Sequence, residues 1–108
     1  MKIYISLPII GHDHLATIKR ANEAKALVEA LGHEAITPFE ANRGQKKPYP
    51  AYISADIEAL LGCDAIYLLT GWSETRGCQL EWRCAQIYKK RVFHYLSDIK
   101  KVTDYADK

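Results

Sequence analysis

The 108 residues suffice for a single domain with a proper core, and a content of 48% hydrophobic and 26% charged residues excludes a disordered chain. A formal net charge of +2 is too small to argue for a nucleic-acid polymer or a membrane as partner, and the clusters Lys46-Lys47 and Lys89-Lys90-Arg91 read as solvated ends of elements. The three cysteines, Cys63, Cys78 and Cys84, are odd in number and lack metal-like spacing, which fits reduced thiols; with no membrane-length apolar run and no signal pattern after Met1, a cytoplasmic protein is expected.

Lys2 to Leu7 is β-rich and is broken by Pro8 and Gly11, so it is expected to form the first strand. Asp13 is placed to cap an amphipathic helix from His14 to Leu31, most of one side of which is carried by Ile18, Ala21, Ala24, Lys25, Leu27, Val28 and Leu31, with Gly32 placed to end it. A short second strand, Glu34 to Thr37, stops at Pro38. Phe39 to Pro50 has no period and contains Gly44, Pro48 and Pro50, which predicts a surface loop, and a loop of that length in a small domain is often functional. A helix from Tyr52 to Leu61 then leads to Ala65–Leu69, an apolar run suited to a fully buried strand. After a loop, a helical pattern runs from Gly77 to about Lys90, Val92 to Tyr95 reads as a fourth strand, and the polar remainder from Ser97 to Lys108 holds one more helical segment or frays.

Strands alternating with helices over short connections imply one α/β domain spanning residues 1–108: a flavodoxin-like, Rossmann-like three-layer sandwich on a parallel sheet of four or five strands, ordered 2-1-3-4(-5). In that order the tips of the first and third strands flank the crevice where such sheets bind ligands.

Two carboxylates fall toward this crevice. On a wheel of about 100° per residue, Glu81 shares half of its helix with Cys78, Leu80, Cys84, Ala85, Ile87 and Tyr88, while Gln79, Trp82, Arg83 and Gln86 take the other half. Two readings fit: a first-turn helix charge at the rim of the core, or a functional carboxylate near a helix N-terminus. Asp56 lies beside Leu60 on the buried side of its own helix, either as an edge residue satisfied by a backbone N–H or as a second inward carboxylate. Tyr4 brings a phenol to the same edge. Two inward carboxylates and a hydroxyl are the parts that cleave a glycosidic bond, one group attacking or stabilising the anomeric carbon and the other handling the leaving group's proton.

Three segments carry a family resemblance: Ile3-Tyr4-Ile5-Ser6-Leu7-Pro8-Ile9-Ile10-Gly11; Tyr52 through Asp56 to Cys63-Asp64-Ala65; and Gly71-Trp72 through Arg76-Gly77 to Leu80-Glu81. With Gly32-His33-Glu34 and Pro38 in register between them, the chain resembles the nucleoside 2-deoxyribosyltransferase superfamily, in its small bacterial and phage branch, over residues 1–95. The resemblance implies a flavodoxin-like fold, Glu81 as nucleophile on the deoxyribose, Asp56 as the group that protonates or holds the base, and Tyr4 as hydrogen-bond donor to the nucleophile. It places Ser6, Pro8, Gly11, Trp72, Thr75, Arg76 and Gly77 around the substrate, and gives Asp64 a structural role. It also implies a small-molecule nucleoside or nucleotide partner and a homo-dimer or higher homo-oligomer. Neither a metal nor another cofactor is expected, since His12-x-His14 lacks a nearby carboxylate–histidine set.

The departures from the family pattern bear on the substrate. Thr75 stands where the transferases carry an aspartate six residues before the nucleophile, a change shared with deoxynucleoside 5′-monophosphate N-glycosidases. Those N-glycosidases, however, have glycine and a basic residue in the first loop, where this chain has Leu7 and Ile10. Leu7 is expected to crowd a sugar or phosphate, and the sequence stops before the C-terminal segment that closes a neighbouring subunit's site in the transferases. Transfer to a second base, hydrolysis of a monophosphate, and a non-catalytic nucleotide-binding or interaction module all stay open. Trp72 is either a base-stacking residue or a hydrophobic plug, and Trp82, on the outward half of its helix, is read as a subunit contact.

Overall fold

The computed structural model describes residues 1–42 and 47–106; the expected loop residues Gly44 and Lys46 lie outside them. The chain begins with β1 (Lys2–Ser6), α1 (His14–Ala30) and β2 (Glu34–Ile36), followed by α2 (Pro38–Ala41) and α3 (Tyr49–Leu61). It continues through β3 (Ala65–Leu68), α4 (Arg76–Ile87) and β4 (Arg91–Phe93) to α5 (Val102–Ala106). The four strands form one parallel sheet in the order β2-β1-β3-β4, as expected, with Tyr4 paired to Ile36 on one side and Ile66 on the other.

Because successive side chains of a strand alternate between faces, β1 supplies two cores. Ile3, Ile5 and Leu7 join Ala21, Ala24 and Val28 of α1 on one face, with Phe93 and Ile99 completing that layer. Tyr4 faces the other way, into a cluster with Leu60 of α3, Ile66 and Leu68 of β3, and Ala85 of α4. The tyrosine is therefore a core residue on the same side of the sheet as the helices that carry Asp56 and Glu81.

Local chemistry sets the element ends. The Asp13 side chain caps α1 through the Ala16 N–H at 2.9 Å. Gly32, at φ +90°, turns the chain after α1; a Cβ there would come within 2.5 Å of Val102, whose N–H donates to Leu31 O. Asp64 takes the Lys2 N–H on its carboxylate at 2.8 Å and donates its own N–H to Lys2 O, so it ties the entry of β3 to the start of β1.

Two expectations are corrected. The stretch after Pro38 is not loop throughout: Thr37 forms a capping box with Glu40 that starts α2, and α3 begins at Tyr49, with Pro48 before it and Pro50 in its first turn. The buried stripe of α4 is centred between Glu81 and Trp82, through Cys78 and Ala85, rather than on Leu80 and Ile87, which are exposed along with Tyr88. Trp82 accordingly is half-buried and packs against Trp72, with ring centroids 5.3 Å apart, rather than standing on a fully outward face.

Candidate active site

At the C-terminal edge of β1 and β3 a cavity of about 1070 Å³ opens between α1, α3 and α4. Glu81 and Asp56 both line it, although they come from helices 25 residues apart in sequence (81 against 56). Both are buried, at 4% and 8% exposure. Glu81 thus lies deeper than a charge at the core rim, and the hydrogen-bond partner of Asp56 is a side-chain amide rather than a backbone N–H.

Glu81 projects from the second turn of α4, a helix whose start Thr75 caps through the Cys78 N–H. Its carboxylate rests on two hydroxyls from one strand. Tyr4 donates to Oε2 at 2.6 Å and Ser6 donates to Oε1 at 2.7 Å. The residues are two apart on β1, so the pleat aims both at the same side. Burial is the largest influence on the Glu81 carboxyl and lifts it to about 7, against the hydrogen bonds from Tyr4 and Ser6, which favour the ion. The Tyr4 phenol is pushed well above its ordinary value, by burial first and then by the neighbouring Glu81 and Asp56 charges.

Asp56 faces the same phenol, and burial raises its carboxyl to about 6. Its oxygen Oδ1 accepts a 2.6 Å hydrogen bond from the Asn42 amide at the end of α2. One phenol proton lies between two carboxyl groups, and it is donated to Glu81. That arrangement suits a pair sharing a single proton across the neutral range.

The rest of the wall is largely apolar and aromatic, with Ile9, Ile18, Phe39, Tyr49, Tyr52 and Ile53 prominent. Thr75, Arg76 and Gly77 of the expected substrate set line it. Gly77 faces Ile53 and Tyr49, whose nearest atoms would meet an added Cβ at ordinary contact distances of 3.7 and 4.0 Å. Ser6 is turned to Glu81 rather than to open space. Pro8, Gly11 and Trp72 do not line the cavity: Pro8 packs against Gly71, Gly11 has nothing within 4 Å of an added Cβ, and Trp72 is held between Trp82 and His94. Trp72 is thus the plug of the two readings. Leu7, expected to crowd a ligand, is 3% exposed and packs into the α1-side core while its edge contributes to the wall.

Asn42 and Lys47 belong to the site and were missed in the sequence, because they lie in the aperiodic stretch between α2 and α3 where spacing carries no signal. Among the described residues no group of three or more His, Cys, Asp or Glu is placed to hold a metal ion, and no helix is long and apolar enough to cross a membrane.

Residues 1–94 match the sequence family DUF4406, a domain of unknown function. No curated protein matches the chain. Among solved structures, a 2-deoxyribosyltransferase from Bacillus psychrosaccharolyticus superposes with a TM-score of 0.66 at 21% identity, over 85% of this chain and 69% of that one. A 2-deoxyribosyltransferase from Leishmania mexicana gives 0.64 at 19% identity, over 84% and 61%. A CMP N-glycosidase from Clostridium botulinum gives 0.60 at 16% identity, over 94% and 84%. At these identities the likeness establishes the fold, which is the one the sequence resemblance implied.

Proposed function

The chain belongs to the DUF4406 family, and from the chemistry of its cavity we propose that it cleaves the N-glycosidic bond of 2′-deoxynucleosides, passing the sugar to another base or to water. The observation that carries this reading is a buried carboxylate, Glu81, held by the Tyr4 and Ser6 hydroxyls in one cavity with a second buried carboxyl, Asp56. Its neighbours in fold, two deoxyribosyltransferases and a CMP N-glycosidase, support it.

The form that reacts is the one in which the proton of the pair sits on Asp56 and Glu81 is the ion held by Tyr4 and Ser6; in it a Glu81 oxygen attacks C1′ as the bond from C1′ to the base nitrogen breaks. The electron pair of that bond stays on the nitrogen, which takes a proton from Asp56. The sugar is left as an ester of Glu81. In the second half the ionised Asp56 accepts a proton from an incoming base or water, which attacks C1′ and releases the Glu81 carboxylate. The hydroxyl donors lower the basicity of Glu81, which makes it a better leaving group in that step. The apolar walls keep bulk water from the ester.

A second reading, hydrolysis of deoxynucleoside 5′-monophosphates, is favoured by Thr75 and Arg76 at the cavity wall. Incubation with deoxynucleosides or their monophosphates, with and without an acceptor base, followed by product analysis separates the readings. Base exchange supports transfer, and turnover confined to monophosphates supports the second. Absence of product from every substrate leaves a binding or interaction module. Glu81→Ala is expected to lower the rate by at least the ~10²-fold typical of losing a group engaged in the reacting centre; an unaffected rate excludes it as nucleophile. A homo-oligomeric assembly, proposed from the resemblance alone, is checked by light scattering. The unpaired thiols Cys63, Cys78 and Cys84 support placing the protein in the reducing cytoplasm.

A further inference from the structure

We propose that Asn42 is a positioning residue for Asp56: its amide occupies one carboxyl oxygen, so that the other carries the proton into the cavity. The inference rests on the glycosidic reading for the use of that proton, but its structural content does not.

All of the amide's polar atoms are committed. Nδ2 donates to Asp56 Oδ1 at 2.6 Å and to Pro38 O at 2.9 Å, while Asn42 Oδ1 accepts from Lys47 Nζ at 3.1 Å. Rotating the amide by half a turn would set its oxygen against a carbonyl and a carboxyl oxygen, and its NH₂ against an ammonium. One orientation is therefore enforced. An oxygen that accepts an N–H bond is the acceptor end of the carboxyl, which directs the acidic proton to Oδ2. The amide is also too fully engaged to read a base itself.

The clamp is built into the fold. Thr37 and Glu40 fix the start of α2 by their capping box, and Lys25 of α1 holds Glu40 at 2.7 Å, so the end of α2 delivers Asn42 against α3 at a set register. Behind the amide the Lys47 ammonium lies close enough to act on Asp56, and the backbone N–H of Lys47 donates to the Tyr52 hydroxyl of α3. The charged and titratable groups around Asp56 are then Tyr4 of β1, Glu81 and Cys78 of α4, Tyr49 and Tyr52 of α3, His14 of α1, Lys47, and Glu74 and Arg76 at the mouth. Burial raises the acid, and Asn42 and Lys47 both oppose that rise. Without them Asp56 would hold its proton more tightly and point less well, a poorer donor on both counts.

The test is a ¹³C-carboxyl NMR titration of the ligand-free protein, with the Asp56 resonance identified by its absence in Asp56→Asn. The wild-type midpoint is expected near 6, to rise in Asn42→Ala, and to rise by a smaller step in Lys47→Met. Lys47→Met keeps the Pro38 bond of Asn42, so it decides the matter should Asn42→Ala fail to fold. Midpoints unchanged from wild type overturn the proposal. With a cleaved nucleoside in hand, Asn42→Ala should lower kcat roughly 10-fold, part of the ~10²–10⁴ that a placed acid supplies, with KM nearly constant and the alkaline limb of the kcat profile moved to higher pH. A loss confined to KM would assign Asn42 to ligand binding and overturn the positioning role. Shifted midpoints in a protein that cleaves no nucleoside would refute the glycosidic reading and leave the clamp standing.

Discussion

At the scale of single residues, Glu81 sets an ionisable group against a core environment. Its carboxyl is raised from 4.5 to about 7, so between those values the folded protein holds a proton that the unfolded chain has released. Stability contributed by this group is complete below about pH 4.5 and is lost as pH rises through about 7, where the buried ion costs up to about 3 kcal/mol. Asp56, raised from 3.8 to about 6, acts in the same direction over a lower window. A Glu81→Gln variant should accordingly be more stable than wild type at pH 8, by ~1–3 kcal/mol, with the difference closing near pH 4. Urea unfolding at both pH values measures this; an equal difference at the two would remove ion burial as the cause. The sequence displayed the anomaly of Glu81 on an apolar face but not its partners, since Tyr4 and Ser6 are 77 and 75 residues away.

At the scale of elements, α2 is four residues long and would not persist alone, because a helix that short cannot offset the cost of its own nucleation. Its stability comes from Thr37 and Glu40, each taking the other's backbone N–H, at 3.2 and 3.1 Å. Thr37→Ala is expected to cost ~1 kcal/mol by loss of the cap. It should also loosen the hold on Asp56 and raise its titration midpoint, because Asn42 is the residue that ends α2. Thermal unfolding gives the first effect and the Asp56 titration the second. Helices α1 and α3 were legible from spacing and from Asp13 and the prolines, whereas α2 was not, since four residues hold barely one turn of any period. The wheel for α4 found an apolar half but misplaced the buried stripe. Leu80, Ile87 and Tyr88 are apolar and exposed, and hydrophobicity by itself does not say which apolar residues a neighbouring helix covers.

Across the whole molecule, the two-sided sheet separates the core under α1 from the layer that holds Tyr4, Asp56 and Glu81. The α1 side is closed by the C-terminal segment, where Val102 sits over Gly32 and donates its N–H to Leu31 O. Gly32→Ala combines a left-handed backbone, costing ~1–2 kcal/mol for a residue with a Cβ, with a close contact to Val102. It should destabilise the protein by that amount or more in chemical denaturation while leaving the Tyr4, Asp56 and Glu81 cluster on the other face of the sheet intact. A variant as stable as wild type would show that α5 contributes no closing layer.

The sequence by itself determined the alternation of strands and helices, and with it the parallel sheet, its order, and the edge at which Tyr4, Asp56 and Glu81 would meet. These follow from local periodicity, chain-breaking residues and the fixed hand of crossovers, none of which needs a distant contact to be specified. Tertiary structure alone decided that Ser6 donates to Glu81, that Asn42 donates to Asp56 with Lys47 behind it, that Trp72 and Trp82 pack together against the core, and that Pro8 and Gly11 do not line the cavity. Each of these depends on which side chain from another element arrives at a given place, and hydrogen-bond partners tens of residues apart leave no period in the chain.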